Sequence, residues 1–91
     1  MQIDFFDWDK NNIEHISRHS VVPDEAEEVF GGRFLSYKTR EGKYILLGRS
    51  DSGRLLTIVF KHYGGKRARV ITARDMSDKE KRLYKRRKGN E

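Results

Sequence analysis

The chain has 91 residues, a formal net charge of +6, a pI of about 9.8 and no cysteine. Those values bound it to one domain with a modest core, and they exclude disulfides and thiolate metal sites. No apolar run is long enough to cross a bilayer and no signal-peptide core is visible, so the expected location is the cytoplasm, with no membrane partner.

Gln2-Ile3-Asp4-Phe5-Phe6 reads as a short first strand with Ile3 and Phe5 on one face. Asp7 or Asp9 can then cap a helix, because a carboxylate accepts from the orphan N–H groups of a first turn. That helix is expected from about Asp9 to His19, with Ile13 and Ile16 as its apolar stripe and Trp8 anchoring it to the core. Pro23 suits the first turn of a second helix, and Asp24, Glu25, Glu27 and Glu28 favour the same end through the macrodipole. Ala26, Val29 and Phe30 give that helix its apolar face, and Gly31-Gly32 stops it.

From residue 33 the pattern alternates. Strands are expected at Phe34 to Tyr37, Tyr44 to Gly48, Arg54 to Tyr63 and Ala68 to Asp75, with turns at Arg40-Glu41-Gly42-Lys43, Ser50-Asp51-Ser52-Gly53 and Gly64-Gly65. Turns this short imply antiparallel neighbours. In a regular last strand, Arg69, Ile71 and Ala73 share one face, and Ala68, Val70, Thr72 and Arg74 share the other. Ser77-Asp78-Lys79-Glu80 is a capping box that opens a third helix. Leu83 and Tyr84 are its large apolar residues, and lysine and arginine cover the rest. The tail Gly89-Asn90-Glu91 is expected to fray. This order predicts an α+β fold: an N-terminal strand and two helices, a four-stranded antiparallel sheet, and a C-terminal basic helix.

The charge is divided unevenly. Residues 1–45 carry six Lys/Arg and nine Asp/Glu, a net of −3, whereas residues 46–91 carry fourteen and five, a net of +9. A basic half points to a nucleic acid or an acidic protein partner. The plainer reading is a solvated lysine surface.

Three stretches in order resemble the N-terminal half of the BrnT toxins: Trp8-Asp9-Lys10-Asn11-Asn12, Arg18-His19-Ser20-Val21, and Glu25-Ala26-x-Glu28-Val29-Phe30. Gly42-Lys43-Tyr44, Gly48, Gly53-Arg54-Leu55-Leu56, Arg69 to Arg74, and Glu80…Tyr84 resemble the closing segments of the same family. The match covers nearly the whole chain. The resemblance implies a RelE-like fold and the toxin half of a type II toxin–antitoxin pair. It implies a metal-independent endoribonuclease that inhibits translation, without cofactor. The implied partner is a BrnA-type antitoxin, in a dimer of heterodimers that meets operator DNA only through the antitoxin. One departure concerns the helix exit, where the family usually has Lys-His-Gly-Val. Ser20 stands in place of that glycine, and serine tolerates a positive φ less well.

RNA cleavage of this kind needs a base for the 2′-hydroxyl, an acid for the leaving 5′-oxygen, and cations for the charged phosphorane. Arg69 and Arg74 are the candidates for phosphate stabilisation, because a guanidinium fork binds phosphate oxygens in pairs. Their alternative role is an ion pair with Asp75 or Glu80 that holds the third helix. His19 is the acid–base candidate and otherwise a helix C-cap. Tyr84 can donate to phosphate or stack on a base, or simply dock its helix. Lys10, Lys79, Arg82 and Arg86 are candidate RNA-backbone contacts, and otherwise solvated or antitoxin-covered cations. His15 and His19 have zinc-ligand spacing, yet no third ligand is evident, so no metal site is expected. The rival reading is a non-catalytic module of the same fold that binds nucleic acid or a partner. Convergence of Arg69, Arg74, His19 and Tyr84 in one concave site favours the enzyme, and scatter favours the module.

Overall fold

The computed structural model describes residues 2–88, so the tail expected to fray lies outside the described residues. Among them are three helices, α1 (Lys10–Ser17), α2 (Pro23–Phe30) and α3 (Asp78–Lys88), and five strands. The strands are β1 (Phe5–Phe6), β2 (Phe34–Lys38), β3 (Tyr44–Arg49), β4 (Leu55–Gly64) and β5 (Arg67–Asp75). They form one sheet in the order β1-β5-β4-β3-β2. The expected antiparallel meander is there, but β1 joins it parallel to β5, through Phe5↔Arg67 and Phe6↔Ala68. The sheet is therefore five-stranded and mixed rather than four-stranded and antiparallel. No helix among the described residues is long and apolar enough to cross a membrane.

Each boundary has a local cause. Asp9 accepts from the N–H groups of Asn11 and Asn12, and Asn12 Oδ1 accepts from the Asp9 N–H at 2.8 Å, which starts α1. The helix ends at Ser17, short of the expected His19. Ser20 leaves it at φ +59°, a left-handed conformation that glycine adopts more readily. Pro23 opens α2, with the Glu25 carboxylate accepting from the Val22 N–H. The box at α3 closes as expected: Ser77 N–H donates to Glu80 Oε1 at 2.8 Å and Glu80 N–H to Ser77 Oγ at 3.2 Å.

α1 and α2 cover one face of the sheet. The core there contains Ile16, Val21, Ala26, Val29, Leu46, Leu56, Ile58, Phe60, Ala68, Val70 and Ala73. Phe6 packs on Phe30, and Phe30 on Phe60, edge to face. Phe5, next to Phe6, points away and stays 63% exposed, while Ile3 turns inward, so the two do not share a face. Trp8 does anchor the N-terminal segment, with its indole donating to Glu27 at 2.7 Å. On the other face α3 seals a smaller cluster of Leu47, Met76 and Tyr84.

Gly48 leaves room for the α2 residue Val29 to lie against β3. A Cβ there would meet Val29 Cγ1 at 2.6 Å, Phe34 Cβ at 3.2 Å and the Arg33 carbonyl at 3.3 Å. The strand cannot move aside without parting from β2 and β4. Gly48→Ala is expected to cost about 1–3 kcal/mol as overpacking, read as a lower urea midpoint at unchanged slope.

Candidate functional site

The strand β5 is not regular. Val59 pairs with Thr72 and Phe60 with Val70, leaving Ile71 as an extra residue. The bulge shifts the alternation by one. Ala68, Val70 and Ala73 all enter the helix-covered core, whereas a regular strand would have put Ala73 on the opposite face. Arg69 pairs with Lys61 and Arg74 with Thr57, two β4 residues four apart. Arg69 and Arg74 therefore share the face that α3 covers only at one end. They stand roughly 13 Å apart along the sheet, four β4 steps at about 3.3 Å each.

At the α3 end, Arg74 grips Glu80 with both nitrogens, at 2.8 and 3.0 Å. Glu80 Oε1 also accepts from the Thr57 hydroxyl at 2.9 Å and from the Ser77 N–H. The Arg74 guanidinium holds the Glu80 carboxyl down to about 2 from an ordinary 4.5, helped by Ser77 and Thr57 and opposed by burial. Glu80 therefore stabilises the fold above about pH 4.5 and loses that contribution as the pH falls toward 2. Glu80→Gln is expected to cost on the order of 2 kcal/mol at pH 7, discounted for the partly solvated partner, and nothing near pH 2. Urea unfolding at several pH values checks both.

At the opposite end, Arg69 meets Asp9 at 3.0 Å and Asp7 at 3.4 Å. Its hydrogen bond is the main reason the Asp9 carboxyl lies below its usual range. The pair ties the N-cap of α1 to β5. Asn12 reinforces it: its buried amide donates to the carbonyls of Asp7 at 2.8 Å and Val70 at 3.0 Å.

A third arginine, which the sequence reading named only within a family motif, holds the helix exit. Arg54 donates to Asp75 at 2.8 Å, to Glu25 at 3.3 Å, and to the backbone carbonyls of Ser20 at 2.7 Å and His19 at 3.0 Å. Its hydrogen bond lowers the Asp75 carboxyl. Arg74 donates to the Asp75 carbonyl at 3.1 Å, so Arg74, Asp75, Arg54 and His19 form one contact chain at the end of β5. The signal in the sequence was Gly53-Arg54 beside a turn, but its partners lie 21 to 35 positions away.

The candidates do not all converge. Arg74 and exposed His19 lie at the same end of β5 but on opposite faces, since Arg74 pairs with Thr57 and Asp75 with the core residue Leu56, and Arg69 lies at the other end. Tyr84 is buried and donates to the Arg33 carbonyl at 3.0 Å, so its hydroxyl docks α3. Lys79, Arg82 and Arg86 are exposed on α3. Lys10 is exposed on α1 with Glu14 at 4.0 Å. The ring of His15 lies 6.3 Å from that of His19, and no group of three acidic or histidine side chains suited to a metal occurs among the described residues. The arrangement offers two arginine forks on one open face, each presently held by carboxylates that a phosphate can replace.

Comparison with known proteins bears on which chemistry this is. A family model described as the ribonuclease toxin BrnT of type II toxin–antitoxin systems matches residues 8–80. The crystal structure of the Brucella abortus ribonuclease toxin BrnT is similar in fold, with a TM-score of 0.66 at 19% identity. The match covers 86% of this chain and all of that one. No curated protein sequence matches the chain.

Proposed function

Since the chain belongs to the BrnT family, the ribonuclease toxins of type II toxin–antitoxin systems, we propose that it cleaves RNA on the open face of its sheet, between Arg74 and Arg69. The observation that carries this reading is the bulge at Ile71, which turns both guanidinium forks to the same side. Each fork exchanges its carboxylates for phosphate oxygens and stabilises the charge that grows on the phosphorane. His19, held behind the Arg74 end of β5 by Arg54 and Asp75, is the proton carrier for RNA that passes round the end of the strand, and no metal or cofactor takes part. Lys79, Arg82 and Arg86 lead the RNA backbone along α3, and Lys10 flanks it from α1. Tyr84 acts by holding α3 in place.

The antitoxin partner is of the BrnA type, in a dimer of heterodimers on operator DNA, and the basic α3 is the surface it covers. The fold is of the RelE kind, and the toxin works in the cytoplasm, where it stops translation. Two observations favour the rival binding module: Arg69, Arg74, His19 and Tyr84 do not converge on one site, and both forks are already neutralised by carboxylates. Expression in bacteria separates the two readings, with growth and RNA integrity followed together for wild type, Arg69→Ala and Arg74→Ala. Growth arrest with RNA cleavage by the wild type, relieved in a folded arginine variant, supports the site. A folded wild type that leaves both growth and RNA intact overturns it.

A further inference from the structure

The open face continues past Arg69 to the β4–β5 hairpin, and its composition changes there. Phe5, on β1, stands beside Arg67 on β5, and Tyr63 is the residue left unpaired on β4 between His62 and Gly64. Phe5 is 63% exposed and Tyr63 54% exposed, the two most exposed large apolar side chains among the described residues. Both line one open cavity of about 360 Å³ with Gly64, Gly65 and Arg67. Arg67 and Arg69 are two apart on the near side of the bulge, so they share a face, and Lys61 faces Arg69 across the strand pair. Lys61 and Arg67 have no ion pair among the described residues, in contrast to Arg69 and Arg74.

The fold does not need these two rings. Phe6 carries the packing of β1, through Phe30. Aromatic faces interleaved with unpaired cations suit a single-stranded nucleic acid, whose bases stack while its phosphates are held. A protein partner with an apolar anchor would also use the rings. It would not need Lys61, Arg67 and Arg69 on the same side, and an acidic one would meet the hairpin's own Lys66 already engaged by Asp4 at 3.8 Å.

We propose that Phe5 and Tyr63 form a stacking subsite for an unpaired base of the RNA, with Lys61 and Arg67 on its phosphate. This rests on the RNA reading above and adds a demand to it: the substrate must be single-stranded where it passes the hairpin. The subsite lies roughly 20 Å from Arg74, six residues along β4 at about 3.3 Å each. It therefore selects and holds the strand at a distance from the Arg74 end of the face.

The test uses a short single-stranded RNA with 2′-O-methyl riboses, which cannot be cleaved, carrying 2-aminopurine at each position in turn. The wild type is expected to bind it and quench the fluorescence at one position. Phe5→Leu and Tyr63→Leu keep an apolar side chain without a ring, and each is expected to bind at least about fivefold more weakly and to lose the quenching. An RNA with an abasic residue at that position should bind wild type and variants alike. Arg74→Ala should retain the quenching while losing cleavage of unmodified RNA. Equal binding and quenching by the leucine variants, with a wild type that cleaves, overturns the subsite and leaves the RNA reading standing. Leucine variants that lose a BrnA-type antitoxin but not the RNA assign the rings to a protein interface. A wild type that neither binds the probe nor cleaves RNA overturns both.

Discussion

Arg74→Ala is expected to lower the rate of RNA cleavage by about 100-fold or more, the usual consequence of removing a donor aimed at a developing anion. The loss should fall on the chemical step, because phosphate charge is greatest in the phosphorane. Arg74→Lys should fall between the two, since an ammonium keeps the charge without the planar fork. A purely structural role predicts a different pattern. Glu80 keeps the Thr57 hydroxyl and the Ser77 N–H after the substitution, so the capping box survives and α3 stays in place. If Arg74 only braced α3, single-turnover cleavage by the folded variant would match the wild type while its melting temperature fell. The lost Glu80 pair lowers the melting temperature in either case, so slow cleavage by a variant that is still folded at the assay temperature supports the catalytic role.

Phe60→Ala is expected to remove about 3–5 kcal/mol of stability. Phe60 is wholly buried at the centre of the sheet, stacked on Tyr44 at 5.5 Å and edge-on to Phe30 at 5.0 Å. Through Phe30 it also reaches Phe6, so one ring joins α2, β3, β4 and the N-terminal strand. A domain of this size has only some 5–10 kcal/mol in hand. The melting temperature should fall on the order of 20 °C, and Phe60→Leu should recover most of it. Calorimetry of the three proteins measures both. Near-equal melting would mean that the ring chain through Phe30 contributes little.

Most element boundaries were legible because their causes are local. Pro23, the Gly31-Gly32 stop and the Ser77/Glu80 box each act within four residues, and α2 begins and ends where they predict. The features that shape the candidate site are not local. Nothing in Arg69-Val70-Ile71-Thr72 announces a bulge, because no glycine or proline marks it; the demand comes from Phe60 and Ile58, which must face the same core as Val70 and Ala73. The ion pairs of Arg69 with Asp7 and Asp9 span some 60 positions, and so does the bond from Asn12 to Val70. The expected partners of the two arginines, Asp75 or Glu80, were right for Arg74 alone. Arg54 was legible as part of a family motif, but its role as the clamp on His19 and Ser20 depends on four elements meeting in space.

The parallel seat of β1 against β5 has a consequence for how the protein is made. The β2–β3–β4 meander can pair as it emerges, since each strand finds its partner in the preceding segment. The first strand and α1 cannot. Their partners, Arg67 to Val70, are synthesised about 60 residues later, and contacts between such distant segments form late and slowly. A nascent chain cut short before β5 has neither arginine fork nor the strand that seats its N-terminal segment. The N-terminal segment therefore finds its seat only after β5 has left the ribosome, and an apolar face that includes Phe6 and Ile16 waits uncovered until then.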